Sequence, residues 1–318
     1  MTPHATVIVC TRDRPRELAR CLRSLAALEY AALDILVVDN GSTEGIAEVC
    51  RARGAACIRE PMAGLTRARN LGARAARGEI VAYIDDDAIA EPGWLSAIAA
   101  EFTDPLVAAV AGRTRYMIAP DDALEISDAA APGDAVRARM VVDLATRDWF
   151  TRACFGGIGD GNTMAFRRRV LTDAMPFDER IGRGRLIDGG DEHIAFMSVI
   201  ADGYRAVHAP AAVVRHPAPA TVAGRRAKRL RDLQSSVSYF LFVTTQFPGH
   251  RAELARFLGR AVIKRLRHRT TDGVWPRLSL RDTWESAARG VLQYWRARGE
   301  WLSVPVRGTG TRRVATLR

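Results

Sequence analysis

The chain has 318 residues, of which 48% are hydrophobic, and its formal net charge is +11. This composition predicts a globular protein with one long domain or two, and no apolar run approaches the ~20 residues needed to span a bilayer. The positive charge lies in residues 221–318, which contain 21 Lys and Arg against 6 Asp and Glu. Such a basic region predicts an anionic partner, for example a membrane surface, a phospholipid-linked substrate or nucleic acid.

The five cysteines are an odd number, and they form neither a CxxC pair nor a Cys/His cluster. This usage argues against a disulfide framework and a structural zinc site, and it predicts a reducing, cytoplasmic location. A peripheral position at the inner face of the membrane stays open because of the basic region. Cys10 and Cys57 lie in apolar runs and are expected in the core.

Short apolar runs alternate with helical patterns through residues 1–115. Strands are predicted at TVIVC (6–10), DILVVD (34–39), ACIRE (56–60), IVAYI (80–84) and VAAVAG (107–112). Apolar residues recur at helical spacing after each of the first three strands, and a short helix opens near Pro92. Strands that alternate with helices predict an α/β fold with a mostly parallel, Rossmann-like sheet and helices on both faces.

The rest of the chain divides into two regions by composition. Residues 116–220 begin with a small acidic stretch, Pro120–Asp134, that we predict to be a flexible loop. They continue with glycine-rich, strand-like and helical patterns, which are FGGIGDGN (155–162), NTMAFRR (162–168), a helix after Gly189 and RAVHAPAAVVRH (205–216). Residues 221–318 are predicted to be mainly helical. Glu253–Arg269 has an apolar stripe between arginines, which we expect to pack on the rest of the protein, and docking on an anionic bilayer is the alternative.

Polar residues follow three of the predicted strands directly. The groups are Thr11-Arg12-Asp13 after the first strand, Asp39-Asn40-Gly41-Ser42 after the second and Asp85-Asp86-Asp87 after the fourth. Because ligands of open α/β sheets bind beyond the carboxyl ends of the strands, we expect the three groups at one edge. The DNGS group alone also fits a turn with a helix cap.

Three adjacent aspartates, Asp85, Asp86 and Asp87, end the buried IVAYI run. Carboxylates this close repel one another, and burying them without a partner costs free energy. Mg²⁺ and Mn²⁺ prefer oxygen ligands and commonly bind one or two carboxylates together with substrate phosphates. The triplet therefore predicts a metal–diphosphate site, and a solvated turn with helix-capping aspartates is the alternative.

Six blocks then follow one another in order: CTRDRP, LVVDNGS, GLTRARNLG, IVAYIDDDAIAEPGWL, GNTMAFRR and FDERIG. Over about residues 5–217 they resemble the blocks of a family 2 glycosyltransferase with the GT-A fold. The resemblance implies a nucleoside-diphosphate sugar donor, with UDP-sugar favoured, and metal-dependent inverting transfer to a hydroxyl acceptor, which is a glycan, a lipid-linked molecule or a natural product. Residues 1–115 would then bind the donor, and residues 116–220 would bind the acceptor and supply the catalytic base.

The resemblance also implies roles for residues of the donor half. Asp39 would hold the base of the nucleotide, and Thr11 and Arg12 would lie near it. The GLTRARN block resembles the segment that lines the nucleotide pocket, and it contains Arg67, Arg69 and Asn70. The two arginines would offset phosphate charge, although Arg69 also fits a surface position on a helix.

The aspartate triplet matches the DxD motif of the same family. Asp85 would contact the ribose, Asp87 would bind Mn²⁺ or Mg²⁺, and Asp86 fills the variable middle position. His216 ends a predicted strand whose terminal histidine can approach the metal in this family. A histidine is a plausible ligand for Mn²⁺ and less so for Mg²⁺, and an ordinary surface histidine is the alternative.

The catalytic base is expected in IDGGDEHIAF, which matches a G-x-E-D type motif at the start of a helix. Its acidic pair has the inverted order D-E. We favour Asp191 as the base, then Glu192, then Asp188. Acids that merely complement the dipole of the helix are the alternative.

Other functions fit the sequence less well than a glycosyltransferase that adds one sugar. Neither the Q-x-x-R-W motif nor the membrane spans of processive family members occur, which favours single addition. A nucleotidyltransferase is disfavoured because the glycine-rich phosphate loop with its lysine is missing after the first strand. An inactive scaffold that binds an anionic membrane or RNA through residues 221–318 is the remaining alternative, and nucleic acid is disfavoured because no RNA-binding motif is recognisable.

Overall fold

A computed structural model describes residues 2–117, 137–174, 177–267 and 276–303. The five apolar runs of the first half all form strands, as predicted. The strands are β1 (Ala5–Thr11), β2 (Leu33–Asp39), β3 (Ala56–Arg59), β4 (Ile80–Asp85), β5 (Ile89–Ala90), β6 (Val107–Met117), β7 (Met140–Val142), β8 (Thr163–Arg167) and β9 (Arg205–Pro217). The loop predicted at Pro120–Asp134 lies outside the described residues.

The helices follow the predicted apolar periodicity. They are α1 (Pro15–Leu25), α2 (Ile46–Arg53), α3 (Leu65–Ala75), α4 (Trp94–Glu101), α5 (Trp149–Cys154), α6 (Arg168–Ala174), α7 (Asp191–Ala201), α8 (Val222–Gln246), α9 (Arg251–Arg267) and α10 (Leu280–Ser303). Among the described residues, no helix combines the length and the apolar character that crossing a bilayer demands.

The strands form one nine-stranded sheet in the order β3-β2-β1-β4-β8-β6-β9-β5, and β7 pairs with β9. Strands β3, β2, β1 and β4 are mutually parallel, which is the Rossmann-like region predicted from the sequence. The second half is mixed, because β8 runs antiparallel to both β4 and β6. The predicted α/β fold is confirmed, and its parallel part is the half that carries the three polar groups.

Parallel pairing brings these groups to one edge. The register sets Thr11 opposite Asp39, and Cys10 opposite Asp85. The backbone N–H of Asn40 also donates to the carbonyl of Thr11 at 2.8 Å. The carboxyl ends of β1, β2 and β4 therefore lie side by side, as expected for the ligand-binding edge of an α/β sheet.

Helices cover both faces of the sheet, and each face has its own apolar core. Leu18, Leu22 and Trp94 of α1 and α4 pack on one face. On the other face, Ala68 of α3 and Phe196 of α7 join one buried cluster. Burial of this apolar surface is the main favourable contribution to folding.

Helix α3 lies unusually close to the sheet. A Cβ on Gly72 would come within 2.8 Å of the Cγ2 of Ile8, so this position accepts no side chain without rearrangement. The hydroxyl of Tyr83 on β4 donates to the carbonyl of Arg69 on α3 at 3.1 Å. These contacts hold Arg69 above the carboxyl end of β4.

The basic C-terminal region shares a core with the sheet domain. Tyr239 and Phe242 of α8 and Tyr294 of α10 belong to the same buried cluster as Phe196. Gly190 permits this contact, because a Cβ there would lie 2.3 Å from the ring of Tyr239. The division at residues 115 and 220 stays a prediction, but α8 and α10 pack against the sheet domain and do not form a separate core.

Two expectations about burial need correction. Cys57 was expected in the core and is exposed, because β3 is the edge strand of the sheet, and Cys10 is only partly buried. The apolar stripe predicted in α9 is packed only at its beginning. Leu254 is buried, whereas residues 258–263 are all exposed.

Candidate active site

The aspartate triplet at the end of β4 is compensated by three different partners. The hydroxyl of Thr11 donates to Asp86 at 2.7 Å. One nitrogen of Arg14, Nη1, lies 3.2 Å from Asp86 and 3.1 Å from Asp87. Nε2 of His216 lies 3.1 Å from Asp87 and 3.6 Å from Asp85. The repulsion that the sequence predicts is thus balanced by two cationic side chains and a hydroxyl.

The pKa values at the triplet reflect these partners. Burial raises the pKa of Asp86 to about 6, although the hydrogen bond from Thr11 opposes this shift. Burial also opposes ionisation of Asp87, but the hydrogen bond and charge of His216 outweigh it and lower the pKa of Asp87. Burial disfavours charge on His216 too, but hydrogen bonds to Asp85 and Asp87 raise its pKa to about 10. His216 is therefore an imidazolium at neutral pH.

The same three side chains form a candidate metal site. One ligand atom each of Asp85, Asp87 and His216 lies within 4.8 Å of the others, and this is the one such group found among the described residues. His216 reaches this position because the end of β9 pairs with β5, which begins two residues after the triplet, with Ile89 opposite Arg215 and Ala90 opposite Val214. Two carboxylates and an imidazole suit Mn²⁺ better than Mg²⁺, so the donor set fits a divalent cation.

Arg69 is buried at the centre of the site. It does not occupy a surface position on α3, which was the alternative that the sequence left open. Its side chain is 4% exposed, and Nη1 lies 2.5 Å from Oδ2 of Asp191, which is 2% exposed. Nη2 donates to the carbonyl of Gly161 at 3.0 Å and lies 3.8 Å from Asp85. One guanidinium thus contacts the aspartate triplet, the segment before β8 and the first turn of α7.

The two acids that begin α7 have different surroundings. Asp191 faces Arg69 through Oδ2, and its Oδ1 lies against Gly182, where a Cβ would come within 3.0 Å. Glu192 has a side chain that is 16% exposed. Burial opposes its ionisation, but His193 and Arg69 nearby outweigh burial and lower the pKa of Glu192. Glu192 is the more accessible of the two carboxylates, and it is ionised at neutral pH.

A cavity of about 400 Å³ joins these groups. Its wall includes Asp85 and His216 from the metal group together with Arg69, Asp191 and Glu192. The remaining lining residues come from α3, β6, α7, α8 and the segments before β8 and α7, and they are Leu65, Tyr116, Asp160, Gly161, Asn162, Arg183, Asp188, Gly189, Gly190, His193, Lys228, Asp232, Ser235, Ser236 and Tyr239. The volume is typical of small-molecule sites.

Asp39 lies farther along the same edge, outside the lining of this cavity. Its Oδ1 accepts the N–H of Ser42 at 2.8 Å, and its Oδ2 accepts from Arg59 at 3.1 Å. Ser42 in turn accepts the N–H of Asp13 at 2.9 Å. The DNGS segment is thus hydrogen-bonded to residues that follow β1 and end β3. It is part of the sheet edge and is not only a local turn with a helix cap.

Seven predicted site residues do not line the cavity, and they are Asp39, Thr11, Asp86, Asp87, Arg12, Arg67 and Asn70. Arg12 is half exposed and lies 3.6 Å from Asp13. Arg67 points to Glu179 at 3.4 Å, on another side of α3 from Arg69. Asn70 is buried and donates to the carbonyl of Phe177 at 3.0 Å, so it fixes a loop.

Several residues at the site were not predicted. Arg14, which bridges two aspartates, stands inside the CTRDRP block, so the block itself was the available signal. Arg59 pairs with Asp39, and only its position at the end of β3 could have indicated this in the sequence. Lys228 and Asp232 of α8 lie far away in sequence, and no local pattern connects them to the cavity.

Known proteins share this sequence pattern and fold. The sequence model of "Glycosyl transferase family 2" matches residues 6–172. An N-acetylglucosaminyltransferase of Rhizobium leguminosarum bv. viciae is 25% identical over 264 residues, which cover 78% of this chain and 59% of the relative. The chain thus spans about three fifths of the length of that relative.

Two solved structures have a similar fold. The mannosyltransferase PcManGT from Pyrobaculum calidifontis, in complex with GDP-Man and Mn²⁺, has a TM-score of 0.61 at 22% identity, covering 94% of this chain and 76% of the other. S. aureus TarS 1-349 in complex with UDP-GlcNAc has a TM-score of 0.52 at 15% identity, covering 95% and 76%. At these identities the likeness establishes a shared fold, which is that of GT-A glycosyltransferases.

The Arg69–Asp191 pair makes a stability prediction. Arg69→Met leaves the carboxylate of Asp191 buried without its cation, and breaking a buried pair in this way costs roughly 3–5 kcal/mol. We expect the free energy of unfolding, measured by urea denaturation, to fall by that amount. Arg67→Met, two residues away, removes only the pair with Glu179, whose side chains are about one third exposed. It should change the free energy of unfolding by about 1 kcal/mol or less.

A double variant separates charge from packing in this test. Arg69→Met with Asp191→Leu removes both charges, and it should regain most of the loss because no isolated charge stays buried. If Arg69→Met and Arg67→Met lowered the free energy of unfolding equally, the buried pair of Arg69 and Asp191 would not have the stabilising role described.

Proposed function

The chain belongs to glycosyl transferase family 2, and from this premise we propose that it moves one sugar from a nucleoside-diphosphate sugar to a hydroxyl acceptor. The observation that carries the proposal is a single cavity whose lining includes Asp85 and His216 of the metal-ligand group together with the ionised carboxylate of Glu192. Glycosyl transfer needs both, because a diphosphate must leave on one side while the attacking hydroxyl loses its proton on the other.

The nucleotide would lie along the carboxyl edge of β1, β2 and β4. Asp39 and Thr11 would border the base, and Asp85 would lie near the ribose. We favour a UDP-sugar, and the names of the curated relatives support an N-acetylglucosaminyl donor. Arg69, which lines the cavity 3.8 Å from Asp85, would contribute positive charge near the diphosphate.

Asp85, Asp87 and His216 would hold Mn²⁺ or Mg²⁺. When bound, a divalent cation of this kind offsets the negative charge of a departing diphosphate. The protein already keeps its carboxylates in place with protonated His216 and with Arg14, so little rearrangement of the chain is required. His216 must release its proton to act as a ligand, since both nitrogens of an imidazolium are donors.

We assign the catalytic base to Glu192, where the sequence favoured Asp191. A base must approach the acceptor hydroxyl, and both oxygens of Asp191 are enclosed by Arg69 and Gly182. Glu192 lines the cavity and is partly exposed. Its carboxylate would accept the proton as the acceptor oxygen attacks the anomeric carbon from the side opposite the diphosphate, which inverts the configuration.

The donor site is tested by calorimetric titration. We expect UDP to bind more tightly with Mn²⁺ than without, and more tightly than GDP or dTDP. Asp87→Ala should abolish the contribution of Mn²⁺, because it removes one ligand and the partner of His216. Asp34→Ala, an exposed aspartate on β2, is the matched control. Failure of the folded protein to bind any nucleotide would favour the inactive-scaffold alternative.

The base is tested by release of UDP from the donor with water as acceptor. Glu192→Gln keeps the shape and removes the proton acceptor, so turnover should fall by about 10²–10⁴-fold while the Kd for UDP stays within about twofold. Asp188→Asn, which alters an acid paired with Arg183, should change turnover little. Loss of turnover in Asp188→Asn, with turnover retained in Glu192→Gln, would assign the catalytic base to Asp188 in place of Glu192.

We also propose that α9 docks on an anionic membrane. The helix contains six basic residues and one acidic residue, and Leu258, Val262 and Ile263 are each about half exposed. A basic helix with an exposed apolar face suits a bilayer that carries negative charge, because apolar burial and charge attraction add. The packed first turn, around Leu254, would anchor this helix to the rest of the protein.

Sedimentation with liposomes tests this docking. At low salt the protein should bind vesicles of phosphatidylglycerol and phosphatidylcholine, and neither 0.5 M salt nor pure phosphatidylcholine should permit binding. Leu258→Glu with Val262→Glu should lower the bound fraction at least fivefold. Leu106→Glu, at a leucine of similar exposure in the sheet domain, is the control. A wild-type protein that ignores anionic vesicles at low salt would overturn the proposal.

A further inference from the structure

We propose that α8 forms the acceptor subsite, and that it binds an uncharged, polyhydroxylated sugar of a glycan acceptor. The inference rests on the proposed function and adds the class of acceptor to it. The family match ends at residue 172, and α8 begins fifty residues later. Yet five residues of this helix line the cavity that contains Glu192 and the metal group.

These five residues occupy one face of the helix. Lys228, Asp232, Ser235 and Tyr239 follow one another at intervals of four, three and four residues, and Ser236 lies four residues after Asp232 and three before Tyr239, which places all five on one face. Four of them are polar, and the same face continues towards the C-terminus with Phe242 and Val243, which join the core. A polar row that lines a cavity indicates a site for a polar ligand.

The row is held firmly against the candidate base. Tyr239 packs directly on Gly190, the residue before α7, at a distance that allows no Cβ. Gln234 donates to Gln293 of α10 at 2.7 Å, and Gln293 donates to the carbonyl of Leu186. The segment from Leu186 to Glu192 is therefore fixed to both C-terminal helices, and a ligand on α8 would lie at the Glu192 end of the cavity.

The charges of the wall exclude an anionic acceptor. Lys228 lies 2.8 Å from Asp232, and Arg183 lies 3.0 Å from Asp188, so each cation already has a carboxylate partner. The lining contains six acids against three Lys and Arg residues, because Asp85, Asp160 and Glu192 are added to these pairs and to the pair of Arg69 and Asp191, and the acids remain in excess when His216 is counted as a cation. A phosphate or carboxylate on the acceptor would meet this excess of negative charge.

Hydroxyl groups suit the same wall. Serine hydroxyls both donate and accept, carboxylates accept, and the ammonium group donates, so several sugar hydroxyls can be paired at once. A site built this way discriminates strongly, because a ligand that lacks a hydroxyl leaves a polar group of the wall unpaired. The acceptor would therefore be selected by α8, while the sheet edge selects the donor.

Binding to a glycan microarray tests the inference without need of activity. The full-length protein is labelled and applied with UDP and Mn²⁺ to an array of neutral, sialylated, sulfated and phosphorylated glycans. Wild type should bind neutral glycans. Asp232→Ala should lose at least tenfold of that signal, and because it removes a negative charge 2.8 Å from Lys228, it should gain signal on acidic glycans.

Two further variants serve as the matched pair. Ser235→Ala with Ser236→Ala removes two hydroxyls of the wall and should weaken neutral-glycan binding at least fivefold. Thr244→Ala removes a hydroxyl of the same helix that bonds to the carbonyl of Phe240 and lies outside the cavity lining, so glycan binding should not change. UDP titration should give the same Kd for wild type and all three variants.

The outcomes separate the two claims. Normal UDP binding without glycan binding, binding confined to acidic glycans, or an Asp232→Ala variant that behaves as wild type would each overturn the acceptor subsite and leave the donor site intact. Absence of UDP binding would instead refute the proposed function, on which this subsite depends.

Discussion

The buried ion pair between Arg69 and Asp191 is the interaction on which the rest of the site depends. Arg69 belongs to α3, and its guanidinium contacts Asp191 at the start of α7 and lies 3.8 Å from Asp85 at the end of β4. A buried charge is tolerated only when it is paired. The pair therefore requires α3, α7 and the end of β4 to come together, and Gly72 allows the close approach of α3 that this demands.

Electrostatic compensation also explains the three aspartates that end β4. Their charge is offset by Thr11 and Arg14 from the end of β1 and by His216 from the end of β9. Two of these partners follow from the parallel pairing of β1 with β4, and the third follows from the antiparallel pairing of β9 with β5, the short strand just after the triplet. A sheet that is parallel in one half and mixed in the other is thus what assembles the metal-ligand group.

The basic C-terminal region divides into parts with different surroundings. Helix α8 contributes to the wall of the cavity, and α10 fixes it in place through Gln293. Helix α9 is packed along its first two turns, where Leu254 is buried and Phe257 stacks on Phe155, whereas residues 258–263 are exposed. The basic residues of this region therefore do not share one role. Lys228 of α8 is paired with Asp232 at the cavity, whereas the basic residues of α9 do not line it.

The sequence by itself determined the strands, the helices that follow them and the presence of Thr11, Asp39 and Asp85 at one edge. These features depend on local periodicity and on the rule that parallel strands end together. Only the tertiary structure decided that Arg14 bridges the triplet, that Glu192 is more accessible than Asp191, and that Lys228 and Asp232 face the cavity. The edge position of Cys57 was also decided there. The physical reason is that burial and pairing depend on contacts between residues far apart in the chain, which no local pattern of hydrophobic and polar residues contains.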